Sequence, residues 1–165
     1  MELKKVAILG TSGFIGSRIY KNLTFKYNII EVNKKFKFKK NLKIECLICC
    51  SGPNKFWCLE NKKTILRDSK KFASNIINFC EENKVSNLIY CSSIQVLKKK
   101  DHLLIPYIKW HRNIEKYLKK SKVKKKIIRL PNIFGKPEKN KNFFWNYFIN
   151  SIIKNSYLKK TMKIK

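Results

Sequence analysis

The chain has 165 residues, 44% apolar and 13% aromatic, with 39 Lys+Arg against 10 Asp+Glu and a formal net charge of +29. That composition excludes a disordered chain and supplies enough apolar residues for one domain with a sizeable core. No stretch approaches the ~20 apolar residues that span a bilayer, and the apolar run after MELKK breaks at Gly10, so neither a membrane span nor a signal peptide is expected.

The lysines are spread along the chain, with denser runs at 34–40, 98–100 and 119–126. This reads as lysine filling solvent-facing positions, with a general attraction for anions as by-product. No specific nucleic-acid motif accompanies it, so a basic nucleic-acid-binding protein is the remotest reading. Six cysteines occur, and Cys46 and Cys49 alone have close metal-like spacing. They lie in an apolar strand, where residues three apart point to opposite faces, so no metal site is expected. Free thiols and the absence of a signal peptide together predict a cytoplasmic protein in a reducing setting.

In chain order, 5–9 is a short apolar strand ending at a glycine, and 14–23 carries apolar residues at helical spacing. A second strand is predicted over 28–32. The segment 36–44 is heavily charged and alternates only in part. A third strand covers 45–50 and stops at Ser51-Gly52-Pro53. A long helix over 65–83 leads to a strand at 87–91. Next come a helix containing 106–115 and a strand at 126–130, closed by Pro131. Short apolar strands alternating with amphipathic helices predict an α/β fold, a parallel sheet covered on both faces. The apolar segment 143–153 predicts burial against this domain or another copy of the chain, which leaves homo-oligomerisation open.

Between the first strand and first helix stands 10-GTSGFIG-16. Gly10 permits the tight turn, Gly13 lets the backbone approach a pyrophosphate, and Gly16 lets the helix pack closely on the strand. The helix N-terminus then offers N–H groups and a positive dipole end to phosphates. The residue reading the adenosine ribose is expected at the end of the second strand. There Asn33 stands beside Lys34 and Lys35, which lean mildly towards NADP, whereas Glu31 lies within the strand.

Taken with 45-ECLICCSGP-53, 88-LIYCSSIQV-96, 106-PYIKWHRNIE-115 and 128-IRLPNIFGKP-137, the glycine motif resembles a known family. The chain resembles the extended short-chain dehydrogenase/reductases, specifically the NAD-dependent epimerase/dehydratases acting on nucleotide sugars. The resemblance spans about the first 137 residues. It implies a Rossmann-like doubly wound parallel sheet over 1–137, with 138–165 as remnant of a largely missing substrate-binding region. It implies a bound NAD(P), a nucleotide-sugar substrate and hydride chemistry at a sugar carbon. Gly10, Gly13, Phe14, Ile15 and Gly16 match the cofactor fingerprint. Ser51 and Gly52 match small residues that pass under the cofactor. Ser93 matches the catalytic serine, although a serine at a strand end also caps turns. Tyr107 matches the catalytic tyrosine, and Asn132 an asparagine that contacts substrate.

The sequence departs from the family at His111, where the family has lysine four residues after its tyrosine. Helical geometry places positions 107 and 111 about 40° apart in azimuth, whereas Lys109 is about 200° round. The family lysine holds the nicotinamide ribose and lowers the tyrosine pKa. A unit charge ~4 Å away at an effective dielectric of ~20 is worth ~4 kcal/mol, enough to bring a tyrosine from ~10 to ~7. A histidine near its ordinary pKa is mostly neutral at pH 7, so it keeps a donor for the ribose and loses most of the charge. Two functions therefore compete: an NAD(P)-dependent enzyme using Ser93, Tyr107, His111 and Asn132, and a cofactor-binding module with weakened catalysis.

Overall fold

The computed structural model describes residues 3–33, 40–98, 105–133 and 156. It divides into two compact units, Met1–Leu130 and Pro131–Lys165. In the first, strands β1 (Lys5–Leu9), β2 (Asn28–Val32), β3 (Cys46–Cys49), β4 (Asn87–Ser93) and β5 (Lys125–Leu130) form one sheet in the order β2-β1-β3-β4-β5. All pairings are parallel, with Leu9 opposite both Val32 and Cys49, and Cys49 opposite Tyr90. Helices α1 (Phe14–Leu23), α2 (Lys55–Glu60), α3 (Ile65–Glu82) and α4 (Ile105–Lys120) connect them. The expectation of an α/β fold with a parallel, Rossmann-like sheet is borne out.

Strand alternation sorts the core into two layers. Ala7, Leu9, Leu47, Cys49, Leu88 and Tyr90 face one side, where α3 and α4 contribute Ile76, Phe79, Ile114 and Leu118. Val6, Ile8 and Ile48 face the other, under Ile19, Tyr20 and Leu23 of α1. Cys46 and Cys49 lie on opposite layers, as their spacing in a strand requires. The loop before β3 holds Asn41 and Lys43 at φ of 61° and 50°, left-handed conformations that no strand accommodates. Helix α2 was not foreseen. Ser51-Gly52-Pro53 reads as a turn, but just beyond it the Asn54 side chain accepts from Trp57 N at 2.9 Å and caps a helix.

Helix α4 begins with Pro106 in its first turn, where proline's missing N–H costs no helical bond, and ends on Lys119 and Lys120, which favour the negative end of the dipole. Two buried polar contacts tie it to the sheet. Glu115 accepts from Ser92 Oγ at 2.7 Å, and from Arg129 through Nε at 3.1 Å and Nη2 at 2.7 Å. Burial pushes the Glu115 carboxyl up, but its bonds to Arg129 and Ser92 hold it below the usual carboxylate range. One turn earlier, His111 Nδ1 lies 2.8 Å from Tyr90 Oη. Burial keeps the Tyr90 phenol protonated well above its ordinary pKa. Its buried O–H needs an acceptor, so it donates to Nδ1, and the His111 proton sits on Nε2.

Burial pushes the His111 pKa down from 6.5 to about 4, with Glu115 opposing. The folded chain therefore keeps this imidazole neutral where the unfolded chain protonates it. The resulting stability is complete above pH ~6.5 and is lost as pH falls towards 4. Glu115, whose pKa is lowered, loses its contribution only below the ordinary carboxylate value of 4.5. Urea unfolding is thus expected to show a loss of about 2 kcal/mol between pH 7 and pH 5, and His111→Gln to flatten that slope. An unchanged slope in the variant would place the titration elsewhere. On the opposite layer, a Cβ at Gly16 would lie 2.1 Å from Gly10 O, a backbone atom that cannot move aside cheaply. Gly16→Ala should cost about 3 kcal/mol in the same measurement.

Candidate functional site

The turn from β1 into α1 is built as a cradle. Gly10 has φ of +102°, and a Cβ there would lie 3.0 Å from both Cys50 C and Ser51 N, so the turn closes only with glycine. Gly13 N donates to Gly10 O at 2.9 Å and Ser17 N to Gly13 O at 3.0 Å, which starts the helix at Phe14. The N-cap Gly13 supplies no side-chain cap, and the first turn of α1 has no acidic residue. The positive end of the helix is left without a carboxylate of its own, the arrangement that suits a phosphate. Arg18 fixes the first turn from behind, donating to Phe14 O at 2.8 Å with its guanidinium 3.6 Å from the Phe14 ring centroid. Ile15 is half-buried and Gly16 buried.

Beside this turn runs the end of β3. Cys50 N donates to Leu9 O at 2.8 Å, and Ser51 follows against Gly10. Gly52 is exposed, and a Cβ there would lie 3.8 Å from Trp110 Nε1 and 3.9 Å from His111 Cε1. Tyr107 is half-buried, its ring 4.6 Å from that of His111 at an interplanar angle of 68°. Gly10 thus stands beside Ser51, Gly52 beside Trp110 and His111, and His111 beside Tyr107.

Ser93 lies at the end of β4, 8% exposed, and accepts from Gln95 N at 3.3 Å to cap a 3-10 turn over Ile94–Leu97. The capping role is therefore real, and the hydroxyl proton remains to be donated. Two buried polar atoms have no partner among the described residues: Gln95 Oε1, two residues beyond Ser93, and Trp110 Nε1, beside Gly52. Both lie next to expected site residues, Gln95 Oε1 as an acceptor and Trp110 Nε1 as a donor.

Asn33 is exposed at the end of β2. Lys34 lies outside the described residues. Asn132 belongs to the second unit, where it is exposed. Glu31 emerges as a further candidate, because its carboxylate accepts from Thr11 Oγ1 at 2.5 Å and so stands at the glycine turn. Strand parity carried the signal: Glu31 shares the face of Ile29, the face on which α1 and the turn lie. Tyr90, the partner of His111, had no signal, since its pairing joins residues 21 apart across a strand and a helix.

The cradle fits a dinucleotide: a glycine-only turn, a helix end without its own anion, and a floor of small residues. The family model described as NAD(P)H-binding matches residues 47–145, more than half of the chain, beginning after the glycine turn. No curated protein matches the chain by sequence. Among solved structures, the chain is similar to the UDP-N-acetylglucosamine 4-epimerase of Methanobrevibacter ruminantium M1, at 16% identity and a TM-score of 0.77 over 99% of this chain. It is also similar to a GDP-D-glycero-L-gluco-heptose synthase of Campylobacter jejuni, determined in the presence of NADPH, at 12% identity and 0.72 over 97%. A third is the GDP-mannoheptose C4 reductase of the same organism with NADP bound, at 13% identity and 0.72 over 96%. The chain spans 66%, 61% and 56% of these proteins' lengths. At such identities the likeness is one of fold, and the matched sequence supplies the family. The chain is a member of the NAD(P)H-binding family, built on the Rossmann-like fold of the sugar-nucleotide epimerases and reductases.

Proposed function

We propose that the chain holds NAD(P) with its pyrophosphate at Gly10–Gly16, and that its chemistry is of the nucleotide-sugar epimerase, dehydratase or reductase type. The observation that carries this is that Ser51 stands beside the glycine turn, Gly52 beside His111, and His111 beside Tyr107. When bound, a nicotinamide supplies hydride transfer. The residues of this chain supply position and protons. Amides at the start of α1 hold the phosphates. Ser51 and Gly52 form a floor close enough for the cofactor to lie over it. His111 offers Nε2–H as donor to a ribose hydroxyl, in the tautomer fixed by Tyr90. Ser93 donates its hydroxyl to the reacting oxygen, and Tyr107 exchanges the proton. Glu31 sets a negative charge beside the turn, which favours NAD over the extra phosphate of NADP, against the lean of Lys34.

A second reading is favoured by one observation. His111 is 6% exposed, with its pKa pushed down to about 4, so the helix carries no cation one turn from Tyr107. Binding and proton transfer are then separable, and this chain is a good cofactor holder with a weak acid–base.

Titration with NADH and NADPH, followed by the nicotinamide fluorescence, tests the shared core. Saturable binding, tighter for NADH, is expected. Gly13→Asp is the matched control. Aspartate is a favoured N-cap and Gly13 has extended backbone at φ −84° and ψ 167°, so α1 persists while its carboxylate opposes the pyrophosphate. Affinity should fall at least about tenfold, the effect of ~1.4 kcal/mol. Equal binding by both forms would remove the cradle from the account. With UDP-N-acetylglucosamine as probe substrate, His111→Lys should raise turnover at pH 7 by about 100-fold, the usual scale of acid–base catalysis. Unchanged rates in a folded variant would count against Tyr107 as the proton-transfer group.

A further inference from the structure

Cys50 and Cys91 stand apart from the other thiols. β3 and β4 pair with Cys49 opposite Tyr90, so Cys50 and Cys91 occupy the next register position, on the face of Ile48 and Ile89. Their sulfurs are 3.5 Å apart, and both residues are half-buried. Cys49, Cys58 and Cys80 are buried, and burial holds their thiols up at about 12, 11 and 12. A hydrogen bond from Cys50 holds the Cys91 thiol below its ordinary value, while the same pairing holds Cys50 up. Neighbouring strands bring the two cysteines close to the separation that a disulfide bridges, so closure needs side-chain rotation and a small shift of Cys50, which lies just past the end of β3.

We propose that Cys50 and Cys91 form a reversible disulfide site set into the wall of the glycine turn, closed by exchange with a low-molecular-weight disulfide and opened by a thiol. The Cys91 thiolate attacks one sulfur of the small disulfide, whose other half leaves as a thiolate and takes up a proton. Cys50, losing its proton to solvent, then attacks Cys91 Sγ and expels the second half as a thiol. Two electrons pass from the cysteine pair to the small disulfide, which becomes two thiols. Cys50 is the residue whose backbone meets Gly10, at 3.0 Å from the position of a Cβ there. Drawing Cys50 towards Cys91 therefore acts on the turn itself, and the oxidised form holds a dinucleotide less well. This last consequence rests on the proposed cofactor role, whereas the disulfide does not.

The test treats the native chain with oxidised glutathione, alkylates the remaining thiols and maps the peptides by mass spectrometry. The expected product has lost two of its six thiols, contains a Cys50–Cys91 linked peptide, and returns to the starting mass with dithiothreitol. Cys50→Ser should instead retain glutathione on Cys91. Alkylation of both Cys50 and Cys91, or links through other cysteines, overturns the site. NADH affinity, measured before and after oxidation, should fall several-fold and recover on reduction. Equal affinity in the two forms overturns the coupling. A reduced chain that binds no NADH defeats the cofactor reading, and the peptide map still decides the disulfide.

Discussion

Gly16 touches Gly10 so closely that the first helix and first strand leave no room for a side chain between them. The rest of the structure depends on this approach. It sets the tilt of α1, and with it the direction of the N–H groups at the helix start. It also fixes the turn at Gly10 against the end of β3, so that Cys50, Ser51 and Gly52 run past the cradle. A single steric constraint therefore determines where the start of α1 points and which strand runs beside it.

The second feature is the way α4 is held. Glu115 engages both β4 and β5, and His111 engages β4, so the helix is tied at two successive turns by polar contacts within an apolar layer. Buried polar groups are costly unless paired, and these are paired with good geometry. The arrangement presents Tyr107 rigidly. It also consumes one nitrogen of His111 and keeps the ring neutral, so position is preserved where charge is not. In the proposed function these two contributions of one residue fall to separate roles, holding a cofactor and supporting proton transfer.

The sheet was legible because its strands are short, apolar and β-branched, and because each ends at a turn residue. Gly10 and Gly16 were legible for the same kind of reason: each answers a local backbone requirement. Tyr107, His111 and Glu115 could be placed on one stripe of α4 from helical spacing alone. What that stripe touches could not be read, because Tyr90, Ser92 and Arg129 reach it across the sheet. Helix α2 escaped because six residues give too little periodicity, and Asn54 was its one signal. The Thr11–Glu31 bond, which brings a carboxylate to the glycine turn, joins residues 20 apart and was not legible from spacing. The Cys50–Cys91 pair likewise depends on strand register, which spacing in sequence does not disclose.

A strongly basic chain attracts anions everywhere, and a dinucleotide is an anion, so the central claim is one of place. Amide chemical-shift mapping of the isotope-labelled chain during addition of NADH tests it most directly. The account predicts saturable shifts largest at Gly13, Ile15, Gly16, Ser51 and Gly52, with Lys116, Lys119 and Arg129 on the α4–β5 side little moved. Shifts confined to that basic side, with the glycine turn silent, would contradict it.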